Sequence, residues 1–161
     1  MPVKEKIITL LSEIPDPEIP VINIHELGIL RDVIINGEEI EIIITPTYSG
    51  CPAMKQIEDD ILSLLNKNGM NNARVKMVYT PAWTTDWITD DAREKLRKYG
   101  ISPPEKTTMD KGALLGKQKV LECPRCRSKN TVMISQFGST ACKALFQCRD
   151  CQEPFDYFKC I

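Results

Sequence analysis

The hydrophobic positions of the first hundred residues follow helix spacing in some segments and strand spacing in others. Apolar residues recur every three or four positions in residues 4–14, which predicts an amphipathic helix. Two β-branched runs follow within residues 29–45 and are joined through Asn36-Gly37. An Asn-Gly pair favours the tight turn of a β-hairpin, because that turn needs positive φ at its central residues. The chain is therefore expected to begin as helix, strand, strand.

Helix spacing returns after the second strand. Pro52 suits the first position of a helix, and Gly69 marks its end. Residues 73–80 alternate as a third strand, and residues 86–99 predict a final helix. This order predicts an α+β domain over residues 1–101, in which helices pack on one small sheet.

The rest of the chain differs from this domain in its composition. Residues 102–117 have no periodicity and contain prolines and glycines, so they are predicted to form a linker. Residues 118–161 contain six of the seven cysteines, which are typical of a small metal-stabilised module. The two parts are therefore predicted to be separate domains.

Composition limits the compartment and the partners. The formal net charge of −1 and the pI near 5.9 give no general reason to expect binding to nucleic acid or to a membrane. The sequence has no run of about 18 apolar residues, and acidic residues interrupt its first apolar stretch. We therefore expect a cytoplasmic protein, whose clustered cysteines bind metal rather than form disulfides.

Four cysteines in the C-terminal part have the spacing of a zinc site. Cys123 and Cys126 form one C-x-x-C pair, and Cys148 and Cys151 form another after 21 intervening residues. Two such pairs can present four thiolates to one ion, and two predicted strands lie between them. The pattern predicts a C-terminal zinc ribbon with a structural zinc ion, and an iron centre is the alternative metal.

Cys142 and Cys160 remain outside this set. If the last strand returns antiparallel after the second C-x-x-C pair, these two cysteines come close together at the far end of the ribbon. They are then a candidate second thiol pair. The alternative is that both are small buried apolar side chains.

Cys51 is the one cysteine of the first domain. It precedes Pro52 at the predicted start of a helix, where unpaired N–H groups and the helix dipole should lower the pKa of its thiol. Thr47 and Ser49 are candidate supporting residues in the same loop. A nucleophilic cysteine would need a base, and His25, the sole histidine, is more typical of a capping or surface residue.

Three segments resemble a small α+β family associated with iron–sulfur cluster assembly: DPEIPVINIHELGIL, TPTYSGCP and PAWTTDWIT. The resemblance implies a helper in assembling or transferring iron or iron–sulfur centres rather than a catalyst. Cys51 matches the cysteine of the family, and Asp16 and Glu18 match its acidic segment. These two acids could orient the cysteine loop or bind metal, or they could be turn-forming and capping residues. Trp83 and Trp87 are interpreted as packing residues.

The ribbon sequence FGSTACKALFQCRDCQEPFDYFKC, taken with the first domain, resembles the PaaD family of accessory proteins of the phenylacetyl-CoA ring epoxidase. This implies an accessory protein of phenylacetate degradation. The implied partners are the di-iron oxygenase, the iron–sulfur reductase and the iron–sulfur assembly machinery, and self-association is a further expectation. The implied cofactors are structural zinc and a transient iron or iron–sulfur centre.

Two other function classes are compatible with parts of the sequence. A zinc ribbon that binds nucleic acid is suggested by four basic residues: Arg125, Arg127, Lys129 and Lys143. The charge of four thiolates and one Zn²⁺ would leave too little positive charge for a phosphate-binding face. A cysteine-dependent enzyme would need a base beside Cys51. A non-catalytic accessory protein is the preferred interpretation.

Overall fold

The computed structural model describes residues 3–48, 50–103, 121–138, 140 and 143–158. The chain forms two compact units, Met1–Trp83 and Thr84–Ile161. The α+β class predicted from the sequence is confirmed, because helices alternate with two small sheets.

The first unit contains α1 (Val3–Leu11), β1 (Leu30–Asn36), β2 (Glu39–Ile44), α2 (Ala53–Lys67) and β3 (Ala73–Met77). Its sheet has the order β1-β2-β3, with β1 and β2 antiparallel and β2 and β3 parallel. Because β2 and β3 are parallel, their carboxyl ends lie at the same edge of the sheet. The loop that carries Cys51 follows β2 at this edge.

Alternating burial along β2 shows which face of the sheet contributes to the core of the first unit. Ile40, Ile42 and Ile44 are buried, whereas the residues between them are more exposed. The apolar stripe of α2 is buried as well, including Ile57 and Ile61. The hairpin before β2 turns as predicted, with Gly37 at a φ of 62°. Strand alternation and helix periodicity thus supply the two halves of one core.

Three predicted helix boundaries differ from the structure. The helix predicted over residues 4–14 ends at Leu11, three residues early. The second helix begins at Ala53 with Pro52 as its N-cap, although Pro52 itself has helical dihedrals. The helix predicted from residue 86 begins at Asp90, because Thr89 caps it through a hydrogen bond that its hydroxyl accepts from the Ala92 N–H.

The second unit contains α3 (Asp90–Tyr99), β4 (Ile101–Ser102), β5 (Thr131–Ser135), β6 (Lys143–Cys148) and β7 (Pro154–Phe158). Its sheet has the order β4-β7-β6-β5. The strands β5, β6 and β7 pair antiparallel, whereas β4 pairs parallel with β7.

The division into units falls before the boundary that the sequence places at residue 101. Ile101 and Ser102 pair with Asp156 and Tyr157 of β7, so they belong to the sheet of the ribbon. Ser102, predicted as the first residue of the linker, is therefore a strand residue. Residues 104–117 of the predicted linker lie outside the described residues, and the predicted domain limits stay predictions for that part.

The ribbon has a small aromatic core. Phe146 stacks on Phe155 with ring centroids 5.9 Å apart, and it meets the edge of Tyr157 at 5.8 Å. Cys123 and Cys148 are buried in the same cluster. A core of this size stabilises a fold weakly, so metal ligation is expected to contribute much of the folding free energy.

The helices of the described residues are short. The longest one, α2, has 15 residues and carries several charged side chains. None of the described helices is long and apolar enough to cross a membrane.

Candidate metal and thiol sites

The four cysteines of the two C-x-x-C pairs come together in the second unit. The sulfur atoms of Cys123, Cys126, Cys148 and Cys151 all lie within 4.8 Å of one another. The Cys123–Cys151 and Cys126–Cys148 sulfur distances are 3.7 and 3.6 Å. A tetrahedral zinc ion with bonds of about 2.3 Å has sulfur–sulfur distances of about 3.8 Å. The four sulfurs therefore fit one zinc ion.

The backbone builds the two halves of this site in the same way. In the first knuckle (residues 123–128) the Cys123 N–H donates to the Ser128 carbonyl at 2.8 Å. In the second knuckle (residues 148–153) the Cys148 N–H donates to the Glu153 carbonyl at 2.9 Å. Arg127 and Gln152, each one residue after the second cysteine, have left-handed dihedrals with φ values of 63° and 64°. Sequence reasoning missed these two residues, because neither is a glycine.

The sulfurs differ in their surroundings. Cys123 and Cys148 are buried, Cys151 is half-buried and Cys126 is exposed. The Cys151 N–H and the Asp150 N–H lower the pKa of the Cys148 thiol, and hydrogen bonds with the side chains of Cys126 and Cys151 lower it further, to about 7. Hydrogen bonds to the thiolate favour the form that binds metal. A four-sulfur shell leaves no open position on a tetrahedral ion, as is usual in structural zinc sites.

The predicted pair of Cys142 and Cys160 lies outside the described residues. The described part of β6 and β7 pairs antiparallel, as the prediction requires, with Lys143 opposite Phe158. The proximity of the two cysteines stays a prediction.

Cys51 lies half-buried in the loop between β2 and α2. Its N–H donates to the Tyr48 carbonyl at 3.3 Å, and its carbonyl accepts from the Met54 N–H at 3.4 Å. Gly50, with a φ of 76°, makes the turn that directs the chain into the helix. The thiol also accepts a hydrogen bond from the Ala53 N–H, in the manner of an N-cap side chain.

Oxygen atoms surround the Cys51 thiol. The Tyr48 hydroxyl is hydrogen-bonded to Cys51, and it lies 3.4 Å from a carboxylate oxygen of Glu18. The negative charges of Glu18 and Asp16 both act on the thiol. The acidic segment singled out in the sequence therefore lies beside the cysteine loop, although about 30 residues separate Glu18 from Tyr48 along the chain.

The prediction that the pKa of Cys51 is lowered is wrong. Burial raises the pKa of the Cys51 thiol, and the negative charges of Glu18 and Asp16 raise it further. The hydrogen bonds from the Ala53 N–H and the Tyr48 hydroxyl oppose this shift without reversing it. Desolvation and like charge both disfavour a thiolate, so Cys51 is a protonated thiol at neutral pH.

Asp16 has the turn-forming role that the sequence left as an alternative. It is 5% exposed, and one carboxylate oxygen accepts from the N–H groups of Glu18 at 2.9 Å and Ile19 at 2.8 Å. These bonds fix the segment that carries Glu18. The capping acid is thus buried rather than on a solvated loop, and it orients its neighbour.

The hydroxyl residues of the cysteine loop have different positions. Thr47 is half-buried, Ser49 lies outside the described residues, and a supporting role for either stays a prediction. Thr45 is 1% exposed, and its hydroxyl has no hydrogen-bond partner among the described residues.

The donors around Cys51 do not form a closed chelate. Among the described residues, the four ribbon cysteines are the one group of three or more Cys, His, Asp or Glu ligand atoms within 4.8 Å of one another. Cys51 is therefore not part of such a group among the described residues. His25 is exposed, and it is not one of the groups that shift the pKa of Cys51. The structure therefore gives no support to a cysteine–histidine catalytic pair.

Two family models match the chain and follow its two parts. The iron–sulfur cluster assembly protein family matches residues 4–68, which include Cys51. The PaaD zinc beta ribbon domain matches residues 107–159, which include the four-cysteine cluster. Neither model alone covers half of the chain.

A relative from Escherichia coli strain K12 covers both parts. It is provisionally named as a subunit of 1,2-phenylacetyl-CoA epoxidase, and it is 52% identical over 99% of this chain and 94% of its own length. The chain belongs to the PaaD family. The zinc ribbon predicted from the sequence is confirmed by the ribbon-domain match, and the four predicted cysteines lie clustered within the matched residues.

Two further relatives each match a little over half of this PaaD-family chain. The Fe-S protein maturation auxiliary factor YitW of Bacillus subtilis is 33% identical over 56% of the chain and 89% of its own length. An Fe-S protein maturation auxiliary factor of Porphyromonas gingivalis is 27% identical over 58% of the chain and 90% of its own length.

Two solved structures also match a little over half of this PaaD-family chain. The domain of unknown function DUF59 from Bacillus anthracis is 28% identical, with a TM-score of 0.54, and covers 58% of the chain and 90% of its own. A conserved hypothetical protein of Thermotoga maritima is 27% identical, with a TM-score of 0.50, and covers 59% of the chain and 94% of its own.

Proposed function

We propose that this chain is an accessory maturation factor of the phenylacetyl-CoA ring epoxidase, and that it passes iron or an iron–sulfur centre to an epoxidase subunit through Cys51. Two findings support this proposal. Relatives that match a little over half of the chain are named Fe-S protein maturation auxiliary factors, and the relative that covers both parts is named as an epoxidase subunit.

The observation that carries the proposal is the setting of Cys51. A half-buried thiol lies at a helix start, next to the Tyr48 hydroxyl and within reach of the charges of Glu18 and Asp16. Thiolate and carboxylate ligands together suit iron. This setting lies within the residues that the iron–sulfur cluster assembly family matches.

The incomplete ligand set indicates transfer rather than storage. Loading would form a bond between the Cys51 sulfur and iron, and the thiol proton would leave to solvent. Transfer would form a bond between iron and a thiolate of the receiving protein, break the bond to Cys51 and return a proton to its sulfur. No electrons are exchanged in either step. Since Cys51 does not share a closed chelate, the receiving protein can supply the other ligands.

The ribbon has a different role in this scheme. Its four sulfurs complete the shell of a tetrahedral ion, so no position is left for cargo. We assign to it a structural zinc ion that stabilises the second unit.

The proposal is tested by producing the epoxidase subunits in cells with the parent chain, with Cys51→Ser or with Cys51→Ala. Serine is close to cysteine in size, and its hydroxyl oxygen can accept the Ala53 N–H in place of the sulfur, so the free energy of unfolding should change by less than about 1 kcal/mol. The iron content of the purified reductase or oxygenase should nevertheless fall as low as in cells without the chain. Cys51→Ala removes both the thiol and the acceptor of the Ala53 N–H. Comparing it with Cys51→Ser therefore separates the effect of losing the thiol from the effect of a weakened helix start.

Separate iron analysis of the oxygenase and the reductase identifies the client. Capture of the subunits on the folded Cys51→Ser variant tests whether docking survives without the thiol. Full iron content and full growth on phenylacetate with both variants would reduce Cys51 to a structural residue and refute the proposal.

A further inference from the structure

Two polar contacts join the two knuckles of the ribbon. Arg125 of the first knuckle forms an ion pair with Glu153 of the second, at 2.7 Å. Asp150, between the two cysteines of the second knuckle, accepts hydrogen bonds from Ser128 and Asn130, which follow the first knuckle cysteines. Both contacts cross between chain segments that are about 20 residues or more apart.

The Asp150 contact is part of a connected network. Ser128 donates to one carboxylate oxygen of Asp150, and the Asn130 side-chain amide donates to the other at 2.9 Å. The Asn130 N–H donates to the Ser128 hydroxyl at 3.0 Å, and the Arg149 N–H donates to the Asn130 carbonyl at 2.8 Å. The Ser128 hydroxyl is therefore held by a further hydrogen bond, and the backbone of Asn130 is held at its N–H and at its carbonyl.

The two contacts differ in what they can contribute. The side chains of Arg125 and Glu153 are 68% and 40% exposed, and exposed ion pairs of this kind contribute little. Asp150 is exposed as well, but its carboxylate accepts two hydrogen bonds, from the side chains of Ser128 and Asn130. Hydrogen bonds to a charged acceptor are stronger than those between neutral groups. Asp150 is therefore the principal polar connection between the knuckles.

We propose that Asp150 is a positioning residue of the metal site. It holds the two knuckles at the separation at which all four sulfurs reach one ion, and so it sets how tightly the ribbon keeps its metal. The sulfurs of the two knuckles lie at tetrahedral spacing, 3.7 Å apart for Cys123 and Cys151 and 3.6 Å apart for Cys126 and Cys148. Outer residues that orient metal ligands typically change metal affinity by about 10- to 100-fold when they are replaced.

The test measures the dissociation constant of the full chain for Zn²⁺, by competition with a chromophoric chelator. Asp150→Ala should raise this constant by about 10- to 100-fold. Asp150→Asn keeps one oxygen and the shape of the side chain, so it should recover part of the affinity. Arg149→Ala removes an exposed side chain of the same knuckle, and as the matched control it should change the constant by less than about twofold.

A double-mutant cycle with Ser128→Ala shows whether the effect passes through the contact. The double variant should bind Zn²⁺ about as weakly as Asp150→Ala alone, because the two groups act as a unit. Fully additive losses would refute the proposal, as would an Asp150→Ala dissociation constant within twofold of the parent value.

The absorption of Co²⁺ bound in place of Zn²⁺ distinguishes positioning from general stability. Its d–d bands report the arrangement of the four sulfurs, and we expect them to shift in Asp150→Ala and to return towards the parent bands in Asp150→Asn. Weaker binding with unchanged bands would assign Asp150 to ribbon stability alone and overturn the positioning role. If Asp150→Ala does not fold, Ser128→Ala and Asn130→Ala each remove one donor, and parent-like affinity in both would refute the proposal.

Discussion

Arg127 and Gln152 occupy the same place in the two knuckles of the ribbon, one residue after the second cysteine of each pair, with φ values of 63° and 64°. In both knuckles this residue lies inside the turn that the first cysteine closes with its N–H. Left-handed dihedrals bring Cβ too close to the backbone, at a cost of roughly 1–2 kcal/mol for an ordinary residue.

This relationship predicts that Arg127→Gly stabilises the ribbon. The strain at a φ of 63° disappears without Cβ, and the greater flexibility of glycine in the unfolded chain offsets part of the gain. We expect the free energy of unfolding of the second unit to rise by up to about 1 kcal/mol. The change is measured by thermal unfolding of the zinc-loaded chain, with release of the metal to a chelator as the signal that the ribbon has unfolded.

Arg127→Ala is the matched control, because it removes the same charge but keeps Cβ. It should therefore show no gain. Equal stability of the glycine and alanine variants would mean that the left-handed dihedrals at Arg127 carry no measurable strain.

A second prediction concerns the metal. Purified chain should contain about one tightly bound metal ion, and Cys126→Ser should lose it, because three thiolates and a hydroxyl bind zinc more weakly than four thiolates. The second unit should then unfold while the first unit keeps its structure. Metal analysis and hydrogen exchange of β1–β3 and β5–β7 amides test both parts. Protected β6 and β7 amides in a metal-free variant would contradict it.

The sequence predicted the features that depend on local spacing. The two C-x-x-C pairs indicated the metal site, because spacing alone determines which sulfurs a knuckle can present. The helices and strands of the first unit followed from periodicity, and their order is confirmed. The two-residue strand β4 was missed, since a pair of residues has no period and its pairing with β7 is a long-range contact.

The surroundings of Cys51 show why the rest could not be predicted. The helix start was visible in the sequence and suggested a lowered pKa of the thiol. Glu18 and Asp16 reach the same place through the folded chain, and burial acts in the same direction as their charges. A pKa depends on everything packed around a group, whereas a sequence motif reports only its neighbours along the chain.

Trp83 provides a third prediction, on the stability of the first unit. Its indole N–H donates to the Leu27 carbonyl at 2.8 Å, and the side chain is 6% exposed. Trp83→Phe leaves this carbonyl without its donor, which should lower the free energy of unfolding by about 1–3 kcal/mol. Urea unfolding measures the loss. Tyr79→Phe is the control, because that residue is 62% exposed, and its free energy of unfolding should stay within about 0.5 kcal/mol of the parent value. An equal loss of stability in both variants would show that the indole hydrogen bond does not account for the loss in Trp83→Phe.

The last prediction concerns the protonation of Cys51. Burial and the charges of Glu18 and Asp16 raise its pKa above the ordinary value of 9.0. Since the thiolate is the reactive form, alkylation of Cys51 should reach its half-maximal rate above pH 9. Peptide mapping of the zinc-loaded chain separates Cys51 from the other cysteines. A half-maximal rate at or below pH 9.0 would contradict the shift.

Glu18→Gln tests the cause of this shift, because it removes one negative charge but keeps an oxygen for the Tyr48 hydroxyl. The pKa of Cys51 should fall, and the thiol should be alkylated faster at pH 8. The direction of the pKa shift also determines how the stability of the first unit depends on pH. A thiol with a raised pKa in the folded state stabilises the fold fully below its unfolded pKa, and this contribution is lost as the pH rises through the folded pKa. The first unit should therefore lose stability in alkaline solution, and Cys51→Ser should lose less over the same range. An unchanged alkylation rate in Glu18→Gln would mean that the charge of Glu18 does not raise the pKa, and would leave burial and the charge of Asp16 as its causes.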